Sequence, residues 1–306
     1  MQDSATAHAA RRVRNVIEAH FPGESKVSCT FLSAWLARSE NLSLCDICLQ
    51  GFLKGRVYQG HITDTADLVY AIDARNHGES PWSDEYSIDA MANDLEEFLY
   101  KHKINKVILV GHSIGGKVAI EYAFRKPESV EKLIIEESTP RNFIEGGGKL
   151  SAFFLNYMKD IKDTMPTDMS KEELTTVLRN LAIGFAADLR ATEEYVSNYD
   201  FSLLPLKWEG NTYAVQLNLD VIAYAVMHNK LHQNLTGTFE GDVLLLYGSK
   251  SQYRIGSDPL FLKYLPRTKK VEFENGGHFL HQTYPKEFTQ EVVSFINRGT
   301  TLQAKY

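Results

Sequence analysis

Short apolar runs alternate with helical patterns along much of the chain, which predicts parallel strands joined by helices. Five runs read as strands: residues 68–72 (LVYAI), 106–110 (KVILV), 132–135 (KLII), 242–247 (DVLLLY) and 270–273 (KVEF). They run into Asp73, Gly111, Glu136-Glu137, Gly248 and Asn275-Gly276-Gly277. Near-continuous apolar runs of this length suit strands covered on both faces. Between them, residues 88–100 place Met91, Leu95, Phe98 and Leu99 on one helical face, and residues 116–124 and 288–296 read as further helices.

The stretch 141–240 has a different texture. It contains helical segments (LSAFFLNYMKDI and KEELTTVLRNLAIGFA), turns at Met165-Pro166-Thr167-Asp168 and Asn211-Thr212, and no strand of the sheet's character. We expect a mostly helical insertion there, a lid above the carboxyl ends of the strands, where α/β proteins bind ligands. The expected organisation is an α/β chain with a mostly parallel central sheet flanked by helices. Residues 1–140 form the first part of the core, with 1–40 atypical; 141–240 form the lid; 241–306 complete the core.

The sharpest local signal is Gly111-His112-Ser113-Ile114-Gly115-Gly116, between a strand and a helix. G-x-S-x-G in that context is a nucleophile elbow. Serine must occupy a strained turn with its hydroxyl above the sheet edge, so side chains at 111 or 115 would collide with a neighbouring strand or helix. The amide of Ile114, at a helix N-terminus, would face a developing oxyanion. A serine nucleophile needs a base, and the triad order on such a sheet is serine, acid, histidine. His278, on the Gly276-Gly277 turn after the last predicted strand, is the best placed of ten histidines. The turn after residue 247 is a common place for the acid, but residues 248–254 hold no carboxylate and Asp258 is the first beyond it. The end of the 132–135 strand offers Glu136 and Glu137; successive strand residues face opposite ways, so only one can reach the histidine.

Composition narrows the class. The 306 residues are 43% hydrophobic and 24% charged, as in ordinary globular proteins, which excludes a disordered or collagenous chain. A net charge of −6 argues against nucleic acid as a partner. Three cysteines point to a reducing, intracellular compartment. No apolar window reaches the ~18 residues of a membrane span, and no secretory signal is expected. Arg11, Arg12 and Arg14 lie among alanines as in a transit peptide, but Asp3 and Glu18 dilute the charge and favour a surface helix. Cys45-Asp46-Ile47-Cys48 has no second ligand pair for a metal, and alternation makes it a buried strand. His228 and His232 lack the glutamate of a zinc helix and read as a helix face. No metal or cofactor is expected. Arg75, Asn76 and His77 either contact substrate or fix a turn, with structure the favoured role.

At these residues the sequence resembles the α/β-hydrolase superfamily, and more narrowly the group of alpha/beta hydrolase domain-containing protein 11 with its bacterial short-chain esterase relatives. The matching stretches are Asp73-Ala74-Arg75-Asn76-His77-Gly78-Glu79-Ser80, the 111–116 elbow followed by Lys117, Ser251-Gln252-Tyr253 in place of the usual acid, and Gly277-His278. The resemblance covers roughly residues 66–298 and implies Glu137 as the acid, where the group carries aspartate. It implies a triad of Ser113, Glu137 and His278, with Asp258 in reserve. The group's His-Gly before the DARNHG loop is replaced here by Gln50-Gly51, which makes Phe52 the candidate second oxyanion donor beside Ile114. The resemblance further implies hydrolysis of acyl esters or thioesters, diacylglycerol among them, and a mitochondrial location, with the cytoplasm as the alternative. The alternative to an enzyme is a lidded binding protein for a hydrophobic small molecule or a protein partner, impaired by the altered first oxyanion loop.

Overall fold

The computed structural model describes residues 70–141, 206–209, 212–232, 236–251 and 253–297, with isolated positions between 159 and 177. Four parallel strands form its sheet: β1 (Val107–His112), β2 (Val130–Glu136), β5 (Asp242–Gly248) and β6 (Thr268–Phe273), in the order β1-β2-β5-β6. Each grows from one of the expected apolar runs. The 68–72 run departs from expectation: Leu68 and Val69 lie outside the described residues, and Tyr70, Ala71 and Ile72 stand outside these four strands.

Strand alternation divides the core in two. Leu109, Leu133, Ile135, Val243 and Leu245 face one side, against helices α1 (Ile88–Lys101) and α2 (Ile114–Arg125). Ile108, Val110, Ile134, Leu244 and Leu246 face the other, against helix α6 (Pro285–Asn297) through Phe288, Val292, Phe295 and Ile296. This two-sided coverage is why the strands read as unbroken apolar runs. Each fully buried aliphatic side chain contributes about 1.5–3 kcal/mol from burial.

Helix α1 starts where Ser87 accepts a hydrogen bond from the amide of Ala90, and it buries Met91, Leu95 and Leu99 as its spacing predicts. Arg125 of α2 ties the two helices together through Asn93 and Asp89, and pairs with Glu121 on its own helix. On the opposite face, the buried Lys132 ammonium donates to the carbonyls of Phe295 and Ile296, capping the end of α6.

The 141–240 stretch corrects one expectation. It contains an antiparallel strand pair, β3 (Leu206–Glu209) and β4 (Thr212–Val215), followed by helix α3 (Leu219–Met227). Each strand is four residues long, too short for alternation to register. Helical backbone does occur at Lys159, 172–174 and 176–177, within the predicted segments, and at Asp163 just beyond the first of them. Most of 142–205 lies outside the described residues, as do Cys45, Cys48, Gln50 and Phe52. Two short helices, α4 (Leu260–Tyr264) and α5 (Leu280–Thr283), complete the second part of the core.

Candidate active site

Ser113 stands between the last residue of β1 and the first of α2, with φ 53° and ψ −117°. A left-handed φ is costly for any residue with a Cβ, and such strain concentrates at functional turns. The Ser113 amide donates to the carbonyl of Glu136 at 3.0 Å, anchoring the elbow on β2, and its hydroxyl caps no amide of α2. The expected glycine constraint is present but shifted. A Cβ on Gly111 would lie 2.6 Å from the Gly115 carbonyl and the Gly116 Cα, and one on Gly116 would lie 2.5 Å from the Ser138 Cβ. Gly111 and Gly116 are therefore the positions of closest approach, with Gly115 as the backbone that Gly111 meets. Ile114 opens α2, so its amide belongs to the first turn, where no helical carbonyl accepts it.

His278 reaches this turn from the far end of the chain. Its Nε2 lies 3.1 Å from Ser113 Oγ and its Nδ1 lies 3.3 Å from Glu137 Oε2. The imidazole is held among the rings of His112, Tyr253 and Phe279, at centroid distances of 4.6, 4.7 and 5.1 Å. The three side chains expected together are thus brought together.

Glu137 follows the last residue of β2 and takes a left-handed φ of 48°. Its carboxylate is buried and fully engaged. Oε1 accepts from the Gly248 amide at 2.6 Å, and Oε2 accepts from the Ser251 hydroxyl as well as facing His278. Ser251 is the residue sequence reasoning left without a role. It occupies the turn after β5 where no carboxylate stands, and there it supports the glutamate from β2. The signal was the missing acid itself. Close approach of the two turns is possible because Gly248 has no Cβ to collide with the Gly276 carbonyl.

Asp258 lies elsewhere. Its carboxylate accepts from Thr139 Oγ1, from Arg141 Nη2 at 2.9 Å and from the Leu260 amide at 3.0 Å. Burial alone would raise its pKa; the Arg141 guanidinium and these donors outweigh burial and hold it below the ordinary value. Nearby, buried Lys117 donates to the carbonyls of Thr139 and Arg141, and burial lowers its pKa to about 7.

Glu136 turns the other way from Glu137. Both of its oxygens lie 2.8 Å from His281 Nδ1, and Oε1 accepts from the His281 amide at 3.0 Å. Burial opposes its ionisation, but His281 and His112 outweigh burial and bring its pKa down to about 2.

The DARNHGES loop is held by its own polar groups. Arg75 makes a two-pronged pair with Asp94 at 2.7 and 2.8 Å. Asn76 is fully buried with φ 69°, accepts from the Ser83 amide and donates to the Glu85 carbonyl. Asn218 donates to both the carbonyl and the side-chain oxygen of Asn76, and the Gly78 amide donates to Gln216. His77 pairs with Leu217, and burial lowers its pKa. The loop therefore joins the core to the segment after β4. His228 caps the end of α3 against Tyr224 and His232 lies beyond the helix, so they do not share one helical face. No group of ligating side chains suited to a metal occurs among the described residues.

A family model described as the alpha/beta hydrolase fold matches residues 47–283. The chain is 30% identical over 233 residues to the sn-1-specific diacylglycerol lipase ABHD11 of Danio rerio, covering 76% of this chain and 70% of that protein. It is 28% identical over 319 residues to the Mus musculus protein of the same name, covering 95% and 98%. Among solved structures, a marine microorganism esterase superposes with a TM-score of 0.64 at 24% identity, covering 89% of this chain and 96% of that one. With a strand-elbow-helix, a parallel sheet and a family match over most of its length, the chain belongs to the alpha/beta hydrolase fold family.

Proposed function

We propose that this protein is a serine hydrolase that cleaves carboxylic esters through an acyl-enzyme. The observation that carries the reading is His278, placed between Ser113 Oγ at 3.1 Å and Glu137 Oε2 at 3.3 Å. Ser113 Oγ attacks the ester carbonyl as its proton passes to His278 Nε2. Glu137 accepts from Nδ1–H, which fixes the tautomer and stabilises the imidazolium that forms. The oxyanion is held by the Ile114 amide at the N-terminus of α2, with Phe52 as the proposed second donor. His278 then gives its proton to the leaving alcohol. Water, deprotonated by the same imidazole, attacks the acyl-enzyme and releases the acid and Ser113. No cofactor enters this sequence.

Relatives named as diacylglycerol lipases, together with one named as an esterase/lipase from Haemophilus influenzae, support acyl esters as the substrate class, lipid esters among them. Phe143, Phe153, Phe154, Tyr157, Phe185 and Tyr195 in the 141–240 stretch would supply an apolar acyl pocket. The test is labelling by a fluorophosphonate probe beside Ser113→Ala, followed by a series of acyl esters. Rapid labelling lost in the variant, with esters of six or more acyl carbons cleaved faster than short hydrophilic ones, is expected. A folded wild-type protein that resists the probe would refute the hydrolase and favour a ligand-binding role on the same scaffold. Preference for short hydrophilic esters would refute the apolar pocket.

A further inference from the structure

Two acid–histidine pairs stand side by side at the carboxyl end of the sheet. Glu136 and Glu137 are consecutive at the end of β2, and His278 and His281 lie within one turn of each other after β6. The first pair, Glu137 with His278, belongs to the proposed reaction. The second, Glu136 with His281, is buried, and the Glu136 carboxylate also accepts the His281 backbone amide at 3.0 Å.

His112 links the two. It is the last residue of β1 and immediately precedes Ser113. Its Nε2 lies 2.8 Å from the backbone carbonyl of His278. A carbonyl only accepts, so His112 donates from Nε2. Its ring lies 4.6 Å from that of His278 and 5.2 Å from that of His281. Burial lowers its pKa to about 3, which keeps the imidazole neutral. Glu136 closes the circuit from the other side: its backbone carbonyl accepts the Ser113 amide while its carboxylate holds the histidine turn.

We infer that His112 and Glu136, acting with His281, are positioning residues: they clamp the His278 backbone to the elbow so that His278 Nε2 stays within proton-transfer distance of Ser113 Oγ. The inference rests on the hydrolase reading above. None of the three touches the reacting atoms in this scheme. Their effect is on the placement of the base, and a displacement of ~1 Å at such a site costs on the order of 10²-fold in rate.

The test compares wild type with His112→Phe, His112→Gln and Glu136→Gln. Phenylalanine keeps an aromatic ring and removes the donor. Glutamine restores a neutral donor. Glu136→Gln keeps the size and one acceptor oxygen. Fluorophosphonate labelling rates, kcat and KM on p-nitrophenyl butyrate, and thermal melting are measured for each. In His112→Phe, labelling and kcat should both fall about 10–100-fold with KM held within about twofold. His112→Gln should recover most of the loss, and Glu136→Gln should lose about 10-fold in kcat. A folded His112→Phe that labels at the wild-type rate would overturn the inference. So would a glutamine variant no better than phenylalanine, or a loss expressed in KM alone. If His112→Phe fails to fold, Glu136→Gln decides: labelling at the wild-type rate overturns the inference, and a kcat loss at constant KM supports it. Failure of wild type to label would instead strike down the hydrolase reading, and this inference with it.

Discussion

Two neighbouring glutamates differ in consequence because Glu136 ends β2 in the strand whereas Glu137 leaves it with a left-handed φ of 48°. Glu137 meets Ser251, Gly248 and His278, whereas Glu136 meets His281. Glu137→Gln should therefore reduce kcat by about 10³–10⁴-fold, the scale seen when the acid of such a triad loses its charge and the histidine its tautomer. Asp258→Asn is the contrast. It removes the partner of Arg141 and Thr139, so it should leave kcat within a few-fold of wild type and destabilise the fold by roughly 1–3 kcal/mol. Parallel kinetics and thermal melts of both variants check this. Loss of activity in Asp258→Asn at unchanged stability would contradict it. In the sequence, strand alternation leaves only one of Glu136 and Glu137 able to serve. The family resemblance pointed to Glu137 over Asp258, and the spatial path of β5, which the linear order of residues does not describe, brings Gly248 and Ser251 to that carboxylate.

At the scale of an element, the elbow is limited by backbone packing. Gly111 approaches the Gly115 carbonyl and Gly116, and Gly116 approaches Ser138. Gly116→Ala should cost about 1–3 kcal/mol, the range for overpacking a tight interior. It should also slow probe labelling, because the turn that carries Ser113 must shift. Melting temperature and labelling rate together test this; a variant unchanged in both would mean that Ser138 gives way freely. The elbow was legible because its chemistry is local: a strand, a short strained turn and a helix in unbroken sequence. The β3–β4 pair was not, because a four-residue strand carries barely two alternations. The DARNHGES loop was legible as a motif, but its task of binding Gln216, Leu217 and Asn218 could not be read from the motif. Asn76→Ala should remove the side-chain link to Asn218, leave the Ser83 amide and the Asn218 side-chain amide without that acceptor, and so weaken the backbone links beside it. Lower thermal stability and faster hydrogen exchange over residues 214–222 are expected, and unchanged exchange there would refute the coupling.

Across the whole molecule, buried titratable groups make stability depend on pH. His112 has its pKa lowered to about 3 from 6.5 by burial. Between those values the unfolded chain binds more protons than the folded one, so stability falls as pH falls. Glu136 has its pKa lowered to about 2 from 4.5. Its contribution is complete above the unfolded value and is lost as pH drops toward 2. Buried Lys117, lowered from 10.5 to about 7, acts in the same sense at higher pH, so His112 should add a further fall in melting temperature from near pH 6.5, steepened by Glu136 below 4.5. His112→Gln should flatten the upper part of that decline. An equally steep profile for this variant between those two values would show that other groups carry it.

Legible in the linear chain were the apolar runs that became β1, β2, β5 and β6, the elbow at Ser113, and a histidine on the turn after the last strand. These are consequences of local rules: burial sets the period, a turn demands glycine, and a helix follows its cap. The support of Glu137 by Ser251, and the tie of the histidine turn to the nucleophile through His112 and Glu136, come from the assembled fold. Those contacts join residues more than a hundred positions apart. They depend on the order of strands in the sheet and on side-chain direction at strand ends, and both are properties of the assembled core.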